Sequence, residues 1–392
     1  MKLKILNDDG TKTIYDFNSK SELEKDSIAL ISSTSKEQNA IRIIKRYNNK
    51  QKSILFDDTN KALEKSVKYL ELEKFEKEEF SMMFFTSGST GAPVGALKSE
   101  SNLEEELKVF TKLVKKYNIK QVVVTVPFVH IYGALVGLLY PILNNIDIVL
   151  KEHFLPFNLL EAIEPNSLVV TTPLYIKALN RVNESKDLRD SLFVSSTAPL
   201  ELSSAEEFLS KFNTNLIQLF GSTESGGIAY KEGAKKLWTP LESVEISQNE
   251  SNELRVTSPF VSSTLYESGF KQIDGVLQTF DYIEREGEKF ALVGRSSKIL
   301  KISGKRYSTV QIETILEDVE GITKSLVFVK KSDSIVRDEV LEITIESKKK
   351  FSAKEVKKIL KEQLSNLKFS IELSVVDNIP TNLVGKKLHL ES

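Results

Sequence analysis

The stretch SMMFFTSGSTGAPVG, residues 81–95, holds the residues whose types and spacing best suit a chemical role. An apolar run ends in a short bend that carries three of the chain's 17 glycines, Gly88, Gly91 and Gly95. Glycines let the backbone turn sharply and approach a ligand, and successive N–H groups in such a turn bind anions. The stretch therefore predicts a phosphate-binding loop, with an ordinary Ser/Gly turn after a buried strand as the alternative.

Hydroxyl side chains flank these glycines and add donors and an oxygen ligand for magnesium. They are Thr86, Ser87, Ser89 and Thr90. The loop differs from that of P-loop nucleoside triphosphatases, whose motif ends in G-K-[ST], because here Gly95 is followed by Ala96. We therefore expect a different nucleotide chemistry, in which other segments supply the remaining groups.

Composition excludes several classes of function. A net charge of -1 argues against a phosphate-backbone binder, so no nucleic-acid partner is expected. The absence of cysteine excludes disulfides, a thiolate zinc site and a thiol nucleophile. The N-terminal residues show no signal-peptide pattern, and glycines and a proline interrupt the longest apolar segment, 131–143. We expect no membrane span and a cytoplasmic location.

The elements that must position this loop follow from the hydrophobic pattern. Nearly continuous β-branched runs alternate with helical patterns up to Trp238, which predicts parallel strands buried on both faces. The runs lie at 27–33, 53–58, 81–87, 121–127, 147–150, 167–173, 192–198 and 216–222. After Trp238, strands follow one another through polar turns and predict an antiparallel β subdomain at about 238–296.

From about Lys298 a strand, helix, strand, strand, helix and strand predict a small α+β unit. The expected fold class is α/β, with parallel sheets flanked by helices in a large N-terminal domain that also contains the β subdomain. We predict that this domain comprises residues 1–296 and that a small, mobile α+β lid domain comprises residues 297–392.

Seven segments, in order, resemble the motifs of the adenylate-forming superfamily of acyl-CoA synthetases, peptide-synthetase adenylation domains and luciferases. They are FTSGSTGAPVG, VPFVHIYGALVGLLYPIL, VSSTAPLE, LFGSTESGG, DGVLQTFDYIE, GRSSKILKISGKRYSTVQIE and IPTNLVGKKLH. The region before the glycine loop is short for this superfamily. The chain thus resembles a short member whose N-terminal region is reduced to the strand-helix-strand unit of residues 27–58.

The resemblance implies an ATP-dependent ligase that activates a small-molecule carboxylic acid. The carboxylate attacks the α-phosphate of ATP, pyrophosphate leaves, and the acyl-adenylate then loses AMP to a thiol of coenzyme A or of an acyl-carrier-protein phosphopantetheine. Apolar neighbours of the expected acyl pocket, Phe128, Val129 and Ile131, favour a fatty, hydroxy or aromatic acid. A mild excess of basic residues after Lys298 suits an acidic carrier protein, although such a run is usually a solvated face.

The resemblance also implies the residues that hold the triphosphate. The implied phosphate-binding residues are Thr86, Ser87, Gly88, Ser89, Thr90 and Gly91. Glu224 and Thr86 are expected to bind magnesium, and Thr223 to contact the α-phosphate. Val94 stands where the family has a lysine, and Lys98, four residues on, is the expected substitute.

The adenosine side is implied in the same way. Asp281 is expected to accept both ribose hydroxyls beside Arg295, with a solvated strand-turn aspartate as the alternative. Phe220 is expected to stack on adenine in place of the family's tyrosine, with a buried core phenylalanine as the alternative. The remaining residues at the adenine edge are Thr197, Ala198, Pro199 and Gly221.

Catalysis is implied to depend on Lys386, whose flexible ammonium suits a bridge between the attacking carboxylate and the α-phosphate, with Lys387 as the alternative. His130 lies at the family's acyl-pocket gate, where a structural histidine is equally expected. The lid domain is expected to rotate between the two steps about a hinge near Ser297, after which Gly304 lets a pantetheine arm pass.

Two other functions stay open from the sequence. A nucleotide-binding module without catalysis is suggested by Val94 and by Ser196 and Thr197, which replace two glycines of the family's adenine-side turn. An adenylate-forming ligase that passes its acyl group to a non-thiol acceptor is the other alternative.

Overall fold

The computed structural model describes residues 1–17, 24–32, 35–86, 93–250, 252–295, 299–302, 305–331, 339–363 and 370–381. The chain divides into two compact units. Unit 1 comprises Met1–Ser247 and Arg255–Leu277, and unit 2 comprises Gln248–Leu254 and Gln278–Ser392. The predicted domain boundary at residues 296–297 lies outside the described residues and stays a prediction.

The described residues form 24 strands and 11 α-helices. The strands are β1 Lys2–Leu6, β2 Lys12–Asp16, β3 Ile28–Ile31, β4 Lys52–Leu55, β5 Met82–Thr86, β6 Val94–Lys98, β7 Gln121–Val124, β8 Asp147–Leu150, β9 Ser167–Thr171, β10 Leu192–Ser195, β11 Asn215–Ser222, β12 Gly226–Glu232, β13 Thr239–Pro240, β14 Glu245–Gln248, β15 Glu253–Thr257, β16 Thr264–Tyr266, β17 Phe270–Gln272, β18 Val276–Glu286, β19 Lys289–Arg295, β20 Ile299–Ile302, β21 Lys305–Ser308, β22 Lys324–Lys331, β23 Glu339–Glu346 and β24 Ser370–Val376.

The helices are α1 Lys36–Asn48, α2 Lys61–Lys68, α3 Leu72–Glu76, α4 Glu100–Val114, α5 Ile131–Ala134, α6 Tyr140–Asn144, α7 Pro156–Ala162, α8 Pro173–Asn180, α9 Leu202–Phe212, α10 Thr309–Glu317 and α11 Ala353–Gln363. A 3₁₀ turn at Lys115–Tyr117 extends α4, and a π-helical turn at Leu135–Leu139 joins α5 to α6. None of the helices in the described ranges combines the length and the apolarity needed to span a bilayer.

Unit 1 contains a large, mainly parallel sheet, sheet A. Its strand order is β13-β12-β11-β10-β9-β7-β8-β1-β2, and the six strands from β11 to β1 are mutually parallel. The predicted strands between Gln121 and Ser222 all lie in this sheet. Their nearly continuous apolar sequences agree with burial on both faces.

A second sheet of unit 1, sheet B, has the order β17-β16-β6-β5-β4-β3. Strands β3, β4 and β5 are parallel, whereas β5 and β6 form an antiparallel hairpin in which Thr86 pairs with Val94 and Met82 with Lys98. The predicted strand-helix-strand unit of residues 27–58 is present as β3, α1 and β4. The hairpin therefore places Thr86 and Val94 opposite each other at one end of sheet B, with β4 beside β5 and β16 beside β6.

Five layers result from the packing of unit 1. One hydrophobic cluster contains residues of both sheets together with α1, α4 and the helical stretch 131–144, so these helices lie between the sheets. The opposite face of sheet A is covered by α7, α8 and α9, and the opposite face of sheet B by α2 and α3. Burying both faces of each sheet removes most of its apolar side chains from water. This burial stabilises the fold by roughly 25 cal/mol for each Å² of apolar surface buried.

Local sequence explains where α4 begins. Ser99 and Asn102 form a capping box, in which Ser99 Oγ accepts from Asn102 N at 3.0 Å and Asn102 Oδ1 accepts from Ser99 N at 3.1 Å. Such a box satisfies two N–H groups that would otherwise lack partners. Because the cap directly follows β6, the helix starts immediately after Lys98.

Unit 2 contains the predicted α+β elements. Strands β22, β23 and β24 form a sheet in that order, with β22 antiparallel and β24 parallel to β23. Helices α10 and α11 pack on this sheet in one hydrophobic cluster. Strands β20 and β21 form a separate two-stranded sheet, and β18 and β19 form an antiparallel pair.

The strands after Trp238 pair antiparallel, as predicted, although they do not all lie in one sheet. A four-stranded sheet of order β14-β15-β18-β19 forms, but β16 and β17 pair with β6 and extend sheet B. Their short, mixed sequences specify strands and turns, but the partner of a strand depends on packing that local pattern does not encode.

Candidate functional site

The candidate site lies at the carboxyl ends of the parallel strands of sheet A. From β8 the chain crosses back over β7 to reach β9, so the strand order reverses at β7. Ligands of open α/β sheets bind outside the carboxyl ends of the strands near such a reversal. The segments that follow β7, β10 and β11 carry His130, Thr197–Pro199 and Glu224, which the sequence analysis singled out.

Thr86 and Glu224 are in direct contact. Thr86 is the last residue of β5 in sheet B, and Glu224 lies in the turn between β11 and β12 of sheet A. The Thr86 hydroxyl donates to Glu224 Oε1 at 3.3 Å, and both side chains are half-buried. The structure therefore brings together the two residues that were predicted to bind magnesium.

The turn that carries Glu224, residues 222–227, is called the Glu224 turn below. Ser222 N donates to Ser225 Oγ at 3.0 Å, and Ser225 N donates to Ser222 Oγ at 3.1 Å. The Glu224 carbonyl accepts from Ser262 N at 2.9 Å. These bonds fix the backbone on either side of Glu224, so the orientation of its carboxylate is set by main-chain geometry.

Glycine is required beside this turn. A Cβ at Gly221 would lie 2.3 Å from the carbonyl oxygen of Gly226. Gly226 adopts φ +71°, in the left-handed region, and a Cβ there would lie 2.5 Å from Glu106 Oε2. The motif LFGSTESGG therefore needs its glycines for close backbone approach within the Glu224 turn.

Phe220 lies in β11, and the predicted adenine-edge residues Thr197–Pro199 follow the adjacent parallel strand β10. Ser196 Oγ donates to the carbonyl of Leu219 at 3.0 Å, which ties the segment after β10 to β11. The next residues, Thr197–Pro199, are exposed, and Thr197 adopts φ +83°. A half-buried aromatic ring beside an exposed turn can form one side of a flat binding slot.

Trp238, which the sequence analysis did not assign to the site, packs against Phe220. The ring centroids are 5.5 Å apart at an interplanar angle of 49°. Lys231 Nζ lies 4.7 Å from the centre of the Trp238 ring, and burial lowers the pKa of Lys231. The chain's single tryptophan therefore adjoins the predicted adenine-stacking residue.

His130 caps α5 and faces Asp57, which follows β4. The distance from His130 Nε2 to Asp57 Oδ2 is 3.7 Å, longer than a hydrogen bond. Burial would raise the pKa of Asp57, but the His130 imidazole and hydrogen bonds from Thr59 N and Thr59 Oγ1 lower it to about 2. Asp57 thus lies close to His130, and it was missed because nothing in its local sequence marks its partner.

Tyr132 holds the segment after β7 against the sheet. Its buried hydroxyl lies 2.6 Å from the carbonyl of Val194 and 3.1 Å from that of Thr171, at the ends of β10 and β9. Burial raises the pKa of this phenol. The Tyr132 hydroxyl lies between the ends of two strands. It therefore holds the segment that carries His130 in place against the sheet.

Lys98 has no exposed surface. Its ammonium donates to the carbonyls of Glu224 at 3.0 Å and Phe260 at 2.7 Å. Burial lowers the pKa of Lys98 to about 8, against the opposing charges of Glu106 and Glu224. The predicted phosphate contact of Lys98 stays a prediction, while its observed bonds lead to the backbone of the Glu224 turn.

Asp281 and Arg295 belong to unit 2, where they pair directly across β18 and β19. Asp281 is 5% exposed, and its N–H donates to Thr279 Oγ1 at 3.1 Å. The spacing of these two residues in the sequence thus corresponds to opposite positions in one antiparallel pair. Their ribose contacts stay predictions.

Several predicted site residues lie outside the described residues. They are Ser87, Gly88, Ser89, Thr90, Gly91, Ser297, Gly304 and Lys386. Thr223 lies in the Glu224 turn and is half-buried, and Gly221 is exposed beside it. The predicted roles of all these residues stay predictions.

The donor set at Thr86 and Glu224 fits magnesium. Within the described residues, no group of three or more His, Asp and Glu side chains could hold a metal without other ligands. Mg²⁺ prefers oxygen and usually keeps several waters while binding one or two carboxylates and substrate phosphates. One carboxylate with an adjacent hydroxyl is therefore a sufficient protein contribution when a triphosphate supplies the remaining oxygens.

The described site thus combines a layered α/β fold with a carboxylate and a hydroxyl that meet at the strand ends, an arrangement suited to a metal-bound phosphate group. A family model described as AMP-binding enzyme matches residues 4–256. The chain belongs to this family, which confirms the predicted adenylate-forming superfamily, and it is a short member of it.

Relatives and solved structures agree with this assignment. A 4-coumarate–CoA ligase of Halorhodospira halophila is 26% identical over 241 residues, which are 62% of this chain and 57% of that protein. A 3,4-dihydroxybenzoate–[aryl-carrier protein] ligase of Bacillus anthracis is 23% identical over 93% of this chain and 84% of its own length. The chain thus spans little more than half of the first relative and most of the second.

Among solved structures, an O-succinylbenzoate coenzyme A synthetase of Bacillus subtilis in complex with ATP and magnesium superposes with a TM-score of 0.71. The alignment has 17% identity and covers 93% of this chain and 88% of that one. This similarity confirms the predicted α/β fold.

Proposed function

We propose that the protein is an ATP-dependent, AMP-forming acid–thiol ligase. The observation that carries this proposal is the contact between Thr86 and Glu224, which joins the end of the phosphate-loop strand to the acidic turn. A hydroxyl and a carboxylate converge beside a Ser/Thr/Gly bend, and this combination suits a metal-bound triphosphate.

In the first step, the carboxylate oxygen of the acid forms a bond to the α-phosphorus of ATP, and the bond from that phosphorus to pyrophosphate breaks. Thr86 and Glu224 hold magnesium, which neutralises charge on the phosphates when it is bound. Thr223 contacts the α-phosphate, and Lys386 holds the attacking carboxylate next to it. The protein mainly supplies positioning and electrostatic stabilisation, because phosphoryl transfer needs little covalent help.

The nucleoside is held on both its base and its sugar. Phe220 stacks on adenine, with Thr197–Pro199 and Gly221 at its edge. Asp281 accepts the ribose hydroxyls beside Arg295. Two observations support these roles. A hydrogen bond ties the segment after β10 to β11, and Asp281 pairs directly with Arg295 in unit 2.

In the second step, a thiol attacks the acyl carbon, forms a thioester and displaces AMP. The thiol belongs to coenzyme A or to the phosphopantetheine arm of a carrier protein, and Gly304 lines its path after the lid domain, residues 297–392, rotates. The named activities of the two relatives described above support both acceptors. His130, held opposite Asp57, lies at the gate of the acyl pocket.

The acid is fatty, hydroxylated or aromatic. Phe128 and Val129 are buried next to His130, and Ile131 is half-buried, so this part of the chain offers apolar contacts. An apolar surface favours a hydrocarbon or aromatic group over an α-ammonium group, whose burial without a partner is costly.

Acid-dependent exchange of labelled pyrophosphate into ATP tests this proposal. Each acid in a panel of fatty, hydroxy, aromatic and amino acids is offered with magnesium and ATP, and coenzyme A and a phosphopantetheinylated carrier protein are then compared as acceptors. Exchange that needs an acid, followed by thioester formation, supports the proposal. ATP binding without exchange for any acid would instead favour a module that binds nucleotide without catalysis.

A further inference from the structure

A buried lysine and a buried glutamate both contact the main chain of the Glu224 turn. Lys98 has no exposed surface, and Glu106 is 7% exposed. Burying a charged side chain in a protein interior is costly unless it is paired and hydrogen-bonded. The burial of two charged side chains at one turn is therefore expected only if bonds at that turn compensate its cost.

Lys98 binds the turn from the side of β6. Its ammonium donates to the carbonyl of Glu224 at 3.0 Å and to the carbonyl of Phe260 at 2.7 Å. Phe260 lies in the segment whose Ser262 N–H donates to the same Glu224 carbonyl. The Lys98 ammonium thus joins the main chain of Glu224, the residue proposed to bind magnesium, to the connection between β15 and β16.

Glu106 binds the turn from the side of α4. Its Oε1 accepts from Gly227 N at 2.7 Å, while the buried Oε2 has no hydrogen-bond partner in the described part of the chain. A Cβ at Gly226 would lie 2.5 Å from Oε2 and one at Gly227 would lie 3.1 Å from Oε1. The two glycines therefore let the carboxylate lie against the backbone.

The two charged side chains reach the same turn, Lys98 at the Glu224 carbonyl and Glu106 at the Gly227 N–H. Burial lowers the pKa of Lys98 and raises that of Glu106, and in each case the charge of the other residue opposes the shift. Because Lys98 precedes the cap of α4 and Glu106 lies within the same helix, their separation is fixed by a strand-to-helix connection. The pair is thus rigid relative to sheet B.

We propose that Lys98 and Glu106 are positioning residues that hold the backbone of the Glu224 turn, so that the Glu224 carboxylate meets Thr86 and the metal-bound triphosphate. This inference rests on the proposed role of Glu224. Both residues act through main-chain bonds to the turn, and for Lys98 this role replaces the phosphate contact predicted from the sequence. Removing either one lets the carboxylate take up other orientations and weakens magnesium-dependent binding of ATP.

The test measures ATP binding with magnesium and with a chelator, using the fluorescence of Trp238 near Phe220. We expect Lys98→Met and Glu106→Leu each to weaken the magnesium-dependent part of ATP binding about tenfold, in the range typical of outer-shell changes at metal sites. ATP binding in the chelator should change little. Binding of magnesium-ATP as tight as that of the unchanged protein, in folded variants, would overturn the proposal.

Lys186→Met is the matched control, because its ammonium also donates to two main-chain carbonyls, those of Leu160 and Ile163, both at 2.7 Å. This change should lower the melting temperature without altering the effect of magnesium. An equal loss of magnesium dependence in Lys186→Met would show a merely structural effect and overturn the assignment.

The double variant tests the pairing. If the charges compensate each other, the melting temperature of Lys98→Met/Glu106→Leu falls by less than the sum of the two single falls. Strictly additive falls would overturn the pairing. If Lys98→Met does not fold, Glu106→Leu alone decides the role, since a leucine side chain cannot accept from Gly227 N. ATP binding that depends on magnesium without any acid-dependent exchange would contradict the proposed ligase while leaving this inference intact.

Discussion

The hydroxyl of Thr86 donates to the carboxylate of Glu224 at 3.3 Å, although the two residues are 138 positions apart in the chain. Thr86 ends a strand of sheet B, and Glu224 follows a strand of sheet A. The bond thus connects the two sheets at the proposed triphosphate site. Any ligand bound there contacts groups from both sheets, so it should stabilise unit 1 against unfolding.

Glu224→Gln should lower acid-dependent pyrophosphate exchange by about 10² to 10³, because an amide cannot supply the charge that a magnesium ligand needs. Exchange is measured over a range of magnesium concentrations. Glu232→Gln is the control, since Glu232 lies further along in β12 and pairs with Lys116 at the surface. Exchange by Glu224→Gln at the unchanged rate and magnesium dependence would contradict the assignment.

Lys386→Ala should reduce exchange by roughly 10² to 10³, equivalent to about 3 to 4 kcal/mol, while ATP still binds. The reason is that one preorganised cation is lost at the attacking carboxylate. Lys387→Ala is the neighbouring control and should retain most of the activity. If the Lys387 variant loses exchange and the Lys386 variant retains it, the roles of the two lysines are reversed.

Phe220→Leu should weaken ATP binding about tenfold, because stacking of a base on an aromatic ring contributes about 1–3 kcal/mol. Quenching of Trp238, whose ring centre is 5.5 Å from that of Phe220, reports the binding. Phe157→Leu removes a ring that is 51% exposed on α7 and should leave ATP affinity unchanged. Equal affinity in both variants would argue that Phe220 is a core residue only.

Asp57→Asn should destabilise the protein by up to about 2 kcal/mol at neutral pH. The pKa of Asp57 is lowered from 3.8 to about 2, so its contribution is fully present above pH 3.8 and is lost as the pH falls through 2. Urea unfolding at neutral and acid pH should therefore show a difference from the unchanged protein that shrinks in acid. Asp274→Asn, at an exposed position, is the control. A loss of stability in Asp57→Asn that grows as the pH falls would contradict the predicted direction of the pH dependence.

The strands and helices around the site could be predicted because their sequences are strongly patterned. The apolar runs of β7, β9 and β10 have few polar residues, and α4 begins with a clear capping box. Strands β1 and β2 were not predicted, since Lys2–Leu6 and Lys12–Asp16 are short and half-polar. The sequence NDDG between them was the available sign of a hairpin.

The burial of Lys98 could not be predicted. Lysine is almost never fully buried without partners, and its partners here are carbonyls of Glu224 and Phe260, far away in the sequence. Local pattern carries no information about such contacts. By contrast, Thr86 and Glu224 were predicted together because each lies in a motif that resembles one of the adenylate-forming superfamily, and this resemblance implies magnesium binding for both.

The first strand of the chain has an unusual place in sheet A. Strand β1 pairs in parallel with β8, so that Leu3 lies opposite Ile148, and the N-terminal ammonium donates to Asn145 Oδ1 at 2.8 Å. During synthesis on the ribosome, β1 therefore emerges long before its parallel neighbour exists. The nascent chain can form the β1–β2 hairpin early, but β1 can join sheet A only after β8 has been translated. The pairing of β1 with β8 is therefore a late and slow step of folding.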